Sequence, residues 1–168
     1  MNWRIGGDLR SLTVRGAING LRMTLGGTLT SAQLGTVQRA AIDVGRRVSS
    51  FTASTFIGSH LHVGFTPMNS ADPMADATSA SFDPAVVTRI DSFRVTAKMV
   101  NAFAGSTIAA RRLGSVWLSS VRTDTLHQFG ALADESIRSV VVGTPKFRVS
   151  NRTAPVDLGM GQFRVRIV

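Results

Sequence analysis

Apolar and polar positions recur along this chain in one order: apolar, any, Ser, apolar, any, apolar. The pattern occupies residues 9–14, 29–34, 48–53, 90–95, 113–118 and 137–142. Ser keeps its place in all six copies, and Ala32 and Ala53 are weak members of an otherwise strongly apolar set. Measured at the leading apolar residue (Leu9, Leu29, Val48, Ile90, Leu113, Ile137), the steps are 20, 19, 42, 23 and 24. The long step is about two periods, so a copy is missing there or a loop is inserted. Within each copy the last four residues alternate, which is the periodicity of a strand and not of a helix. Each copy is therefore a strand of roughly 4–6 residues. The leading apolar residue, two before the Ser, must turn inward through a corner.

Each period carries a second apolar stretch, at 18–25, 40–44, 59–63, 106–110 and 129–133, mostly bordered by Gly (Gly26-Gly27, Gly45, Gly64, Gly105). Two short strands per period with Gly at the corners make one coil of a β-solenoid. A lone coil cannot bury its own side chains; coils stacked about 4.8 Å apart bury a continuous apolar column. The six Ser then form a ladder at one corner, where hydroxyls satisfy neighbouring backbone groups, a ligand-binding array being the lesser alternative. Outward positions read Thr13, Gln33, Thr52, Arg94, Trp117 and Val141.

The runs Arg112-Leu-Gly-Ser-Val-Trp-Leu118, Phe129-Gly-Ala-Leu-Ala-Asp134 and Ser136-Ile-Arg-Ser-Val-Val-Val142 resemble the solenoid repeats of large secreted or cell-surface proteins of environmental bacteria. The likeness covers residues 8–142 and the final strand. It implies an all-β, right-handed parallel β-helix, here of about seven coils, and an extracellular or cell-surface setting. It does not choose among the pectate-lyase-like enzymes, adhesins, phage tailspikes and ice-binding proteins built on that fold.

At 168 residues one domain is expected, with an inserted loop at about 65–88 and a terminal strand at 162–168. No apolar run approaches the ~18 residues of a membrane span. The start, Met1-Asn2-Trp3-Arg4-Ile5, has no apolar signal core. The first coil begins almost at once without a cap, so the expectation is a piece of a longer chain, with ends open to self-association. Cysteine is absent, which excludes disulfides and thiolate metal sites. The net charge of +9 predicts attraction to polyanions. The arginines are scattered and come without a helix-turn-helix, a zinc knuckle or an aromatic-rich basic platform, which argues against nucleic acid. Acidic polysaccharide or an anionic cell surface fits the same charge; the plainest role for Arg is to keep strand edges soluble.

The loop carries three prolines and three acids. A turn of helix is predicted after Asp83-Pro84, with Asp as N-cap and Pro at the first helical position. Asn69, Asp72, Asp76 and Asp83 offer oxygen ligands for calcium without the spacing of an EF-hand; the plainer reading is a loop that shields a sheet face. His60-Leu61-His62 sets two imidazoles on one outer face, a chelate to which His127 would add a third ligand. His60, His62, Asp72 and Asp76 are thus the candidate metal residues, and no other cofactor is expected. Paired carboxylates for glycoside hydrolysis are not visible, since the adjacent pair Asp134-Glu135 faces opposite ways. Trp117 lies outward between Arg94 and Val141, where an indole flanked by guanidinium stacks on a sugar ring; the competing reading is that the loop or a partner subunit covers it. The candidate ligand site is Trp117 with Arg94, Arg112 and Arg138. These features favour a non-catalytic, adhesin-like or polysaccharide-binding module. The alternatives are a polysaccharide-active enzyme of the pectate-lyase-like group and a purely structural spacer.

Overall fold

The computed structural model describes residues 1–69, 72–123 and 125–168. The chain is all-β, 2% helical, and winds into a parallel β-solenoid of about 6 turns, close to the seven coils expected. In chain order the strands are β1 (Asn2–Ile5), β2 (Leu9–Val14), β3 (Ile18–Asn19), β4 (Arg22–Leu25), β5 (Thr28–Gln38), β6 (Ala41–Val44), β7 (Arg47–Ile57) and β8 (His60–Val63). After the inserted loop come β9 (Arg89–Val95), β10 (Phe103–Ala104), β11 (Thr107–Ser120), β12 (Phe129–Thr144), β13 (Phe147–Arg152), β14 (Val156–Met160) and β15 (Phe163–Ile167).

Three faces result. Face I stacks β1, β4, β6, β8, the first part of β11, the first part of β12, and β15, all in parallel. Face II stacks β2, the first parts of β5 and β7, then β9 and the later parts of β11 and β12. Face III is a narrow third side made by β3, the ends of β5 and β7, and β10. The sequence pattern predicts two strands per coil and misses this third side. The stretch 18–25 reads as one strand but breaks at Gly20, which adopts a φ of 67° and donates its N–H to Gln38 O. The C-terminal end is closed by antiparallel pairing, β13 on β12 and β14 on β15. That reversal has no signal in the repeat, whereas the parallel docking of β15, with Phe163, Val165 and Ile167 inside, follows from its alternation.

The register matches the repeat. Ser11 pairs with Ser31 and Ser31 with Ser50; Ser92 pairs with Ser115 and Ser115 with Ser139. Leu29, Val48, Ile90, Leu113 and Ile137 turn into the core as their corner position requires. Because the register is preserved from coil to coil, like stacks on like. Phe51 stacks on Phe93 at 5.3 Å, and Phe56 stacks on Phe103 at 6.1 Å. Phe103, Phe129, Phe163 and Phe147 continue the column towards the C-terminal end. Each fully buried Phe contributes about 1.5–3 kcal/mol relative to exposure.

The six repeat serines stack in register, but their role differs from the expected one. They point outward on face II, and among the described residues none makes a side-chain hydrogen bond within the chain. Their positions are partly or fully exposed. The hydroxyls that satisfy backbone belong to three buried serines, Ser59 and Ser106 at the corner leading out of face III and Ser120 at the corner leading into it. Ser59 Oγ accepts from Ala40 N at 3.0 Å, Ser106 Oγ accepts from Ser59 N at 3.0 Å, and Ser120 Oγ accepts from Ala102 N at 3.0 Å. Each also donates to a carbonyl, so both corners of face III have backbone groups met where the strand ladder is interrupted. At the corner between faces I and II the device is steric. A methyl added to Gly45 would run into the carbonyl oxygen of Gly26 in the preceding coil.

The loop leaves the solenoid at Gly64 and returns at Thr88, whose methyl group lies against Gly64 and whose Oγ1 accepts from Arg111 N. The loop folds over the outside of face I. Phe65, Met74, Ala77 and Phe82 form a second apolar cluster with Ala109 and Leu132, the outward side chains of β11 and β12. The covering loop read from the sequence is thus present. The predicted helical turn after Asp83 is not: Asp83 Oδ1 accepts from Ala85 N and closes a local turn, while the short 3-10 turn lies earlier, at Ser79–Ser81. Three residues of that turn suffice to bring Phe82 back onto Phe65, with ring centroids 5.0 Å apart.

Substituting Ser106 by Ala strands the N–H of Ser59 and should cost about 1–3 kcal/mol. Ser115→Ala on face II should stay within about 0.5 kcal/mol of wild type. Urea unfolding of the two variants measures the difference, and equal losses would mean that the buried ladder does not support the corner.

Candidate ligand-binding faces

Two outer surfaces gather the side chains singled out by the sequence. On face II the outward column runs Thr13, Gln33, Thr52, Arg94, Trp117, Val141, in register across consecutive strands, and β13 adds Arg148. Trp117 is held by the alternation of β11: Val116 and Leu118 are buried on either side, so the indole must point out. It is 37% exposed, enough to offer one ring face, and the Arg94 guanidinium lies 5.8 Å from the ring centroid. The loop packs on face I and leaves Trp117 uncovered within the chain.

The other two arginines of the expected site are placed elsewhere. Arg112 begins the face II part of β11, five residues before Trp117, and its Nε donates to Glu135. Arg138 is exposed on β12, one residue after the buried Ile137, in line with Gly114 and not with the indole. The structure therefore joins Trp117 to Arg94 alone. Counting outward residues along the repeat separates these positions, since Arg94 and Trp117 share a column whereas Arg112 and Arg138 do not.

On face I the two imidazoles of β8 do lie on the outer side, with ring centroids 5.4 Å apart. Their environment differs from the solvent-facing one expected. Phe65 of the loop lies edge-on to His62 at 4.9 Å, and the His62 side chain is only 7% exposed. His62 Nδ1 is 3.5 Å from Asp43 Oδ1 on the neighbouring strand β6. Among the described residues His60 Nδ1 and His62 Nε2 are buried without a hydrogen-bond partner. Burial first, and His62 second, push the pKa of His60 down to about 4, against a partial opposing effect of Asp43. A groove of about 590 Å³ passes beside the pair, with Arg22 and Arg39 on its far wall and Pro67 and Pro73 of the loop on its rim.

The expected metal set does not converge. Asp72 sits 3.7 Å from His127 Nδ1 and accepts from Ala75 N, so His127 belongs to the loop and not to the β8 pair. Asp76 is exposed. Among the described residues no three His, Asp or Glu side chains come together as a metal site, calcium included. The loop acids instead organise the loop, as with Asn69 Oδ1 accepting from Asp72 N and Asp83 closing its own turn. Ser70 and Ala71 of the loop lie outside the described residues.

No family model, no curated protein and no solved structure matches this chain. The likeness to bacterial repeat proteins therefore stands at the level of the solenoid fold. No helix among the described residues is long and apolar enough to cross a membrane.

His60 yields a pH prediction. Its folded pKa lies below the ordinary imidazole value of 6.5, so the unfolded chain binds the extra proton between about pH 6.5 and about pH 4. Its stabilising effect is complete above that window and is lost as pH falls through it. Denaturant unfolding across the window should show this loss in wild type and a shallower one in His60→Gln; an NMR titration midpoint of His60 near its ordinary value would refute the assignment.

Proposed function

We propose that this chain is a non-catalytic binding module for acidic polysaccharide, displayed outside the cell or on its surface, which receives its ligand on the outer side of face II. The observation that carries this reading is the exposed indole of Trp117 with the Arg94 guanidinium over its ring. An indole offers a flat apolar surface to the C–H side of a pyranose, and the guanidinium reaches the carboxylate or hydroxyl groups at the ring's rim. The face is suited to a polymer. Seven parallel or antiparallel strands cross it, which at about 4.8 Å per strand gives a track of roughly 29 Å. The outward column bears no carboxylate to repel an acidic ligand, and the net charge of +9 raises the local concentration of one.

A polysaccharide-active enzyme remains the second reading, and the groove beside Asp43 and His62 is the observation that favours it. Acid–base chemistry there requires the loop to uncover His62 Nε2, which is buried. The discriminating measurement is product formation: an enzyme shortens or desaturates an acidic polysaccharide, and a binding module leaves it intact.

Purified protein immobilised against neutral and acidic polysaccharides, at low and high salt, tests the leading reading. Binding to acidic polymers should persist in part at high salt and fall about tenfold with Trp117→Ala, the loss expected for one stacking contact. The thermal midpoint of that variant should stay within a few degrees of wild type, because the ring is not part of the core. Binding that disappears with salt and ignores Trp117→Ala reduces the effect to charge alone, and an absence of binding favours a structural spacer.

A further inference from the structure

The corner between faces I and II carries a concentration of charge that the indole does not use. Arg47 lies in register beside Arg89, and Arg89 beside Arg112, on three consecutive strands of face II. At about 4.8 Å between strands, like charges placed side by side oppose folding. The chain separates them with carboxylates. Asp91 accepts from Arg47 Nε at 2.6 Å and lies 3.0 Å from Arg89 Nε. Glu135 takes Arg112 Nε and lies 2.7 Å from Arg111 Nη2, while Asp134 lies 3.1 Å from Arg111 Nε. Arg46 has no ion pair among the described residues. Five guanidinium groups (Arg46, Arg47, Arg89, Arg111, Arg112) thus meet three carboxylates (Asp91, Asp134, Glu135), an excess of two positive charges at one corner.

The carboxylates do more than neutralise. They engage Nε of Arg89 and Arg112, and both Nε and Nη2 of Arg47; a guanidinium has five N–H donors, so among the described residues each fork keeps terminal donors outside these ion pairs. The three side chains are 41%, 45% and 53% exposed. Together with Arg46 they border a groove of about 570 Å³ whose opposite wall is Val86 and Val87, on the returning arm of the loop. Forks already fixed by a carboxylate lose little freedom when an anion arrives.

We propose that the ladder Arg47–Arg89–Arg112, with Arg46, is an oxyanion subsite that takes successive carboxylate or sulfate groups of an acidic polysaccharide, one per coil. This rests on the reading of the protein as a polysaccharide-binding module for the polymeric nature of the ligand; anion binding at the corner stands on the ladder itself. Five residues of strand, about 16 Å, separate Arg112 from Trp117, so the ladder and the indole are distinct contact points. Among the described residues no aromatic side chain lines the groove, so nucleic-acid bases would find no stacking surface there.

Isothermal titration tests the ladder with three probes: a galacturonate hexamer, fully sulfated maltohexaose and unmodified maltohexaose. Both acidic hexamers should bind wild type more tightly than maltohexaose, and the tighter of the two names the group the ladder prefers. Arg89→Ala and Arg46→Ala should each weaken the acidic hexamers about tenfold. Arg10→Ala, an exposed arginine on β2 of the same face, should change binding less than about twofold. Arg46→Ala breaks no ion pair among the described residues, so its loss reports on ligand contact and not on folding; thermal melts of both variants verify this. Wild-type affinity in the ladder variants, an equal loss in Arg10→Ala, or tighter capture of a single-stranded DNA dodecamer than of either acidic hexamer would overturn the proposal. Trp117→Ala separates the two readings. If it leaves hexamer binding unchanged while the ladder variants lose it, the indole falls and the ladder stands; the opposite pattern removes the ladder and keeps the indole.

Discussion

Everything in this molecule depends on the backbone hydrogen bonds that join each coil to the next in parallel register. They fix the spacing between coils at about 4.8 Å and align equivalent positions into columns. A side chain placed once per period is thereby placed along a line. The Phe column of the core is one consequence: Phe51 meets Phe93 and Phe56 meets Phe103 because their strands are held in step. The same constraint sets the corners. Where the chain turns from face I to face II, the carbonyl of one coil comes so near the next that Gly45 has no room for a methyl group. Where it leaves and enters face III, the ladder is interrupted, and Ser59 and Ser106 at the one corner and Ser120 at the other supply the missing partners.

Columns also amplify charge. An arginine at one position of one coil is a surface residue with little consequence. At the same position of three consecutive strands it becomes a row of like charges that must be balanced or used. Asp91 and Glu135 balance the row Arg47, Arg89, Arg112 only in part. Trp117 and Arg94 arise by the same logic in another column, where neighbouring coils contribute a ring and a cation. Both arrangements sit on regular strands, whose packing holds the side chains at a defined separation. That is the property an extended, repetitive ligand demands of its receptor.

The inserted loop divides the outer surface by chemistry. It covers the apolar outward side chains of face I, Ala109 and Leu132, with Phe65, Met74, Ala77 and Phe82. In doing so it places Phe65 edge-on against His62, which is almost fully buried. Arg166 of β15 reaches the loop carbonyl of Met74, and Ser79 Oγ donates to Val168 O, so the last strand and the loop hold each other. Face II is left open. The outward column with the indole of Trp117 and Arg94 lies on this open face.

The repeat determined the fold class, the register and the inward and outward sense of nearly every strand residue on faces I and II. It did so because an alternation of period two, repeated at a constant step, admits only one way to bury its apolar members. The outward neighbours of Trp117 were legible for the same reason. What the sequence left open lies wherever strand periodicity stops. The third face, the buried serines of its corners and the antiparallel end arise at bends, where direction is set by packing against the next coil and not by alternation. The burial of His62 was decided by a loop that carries no period, so no pattern announced that Phe65 would cover it. The arginine row was written in the sequence as three residues 42 and 23 positions apart, and only the stacking of β7, β9 and β11 made them neighbours.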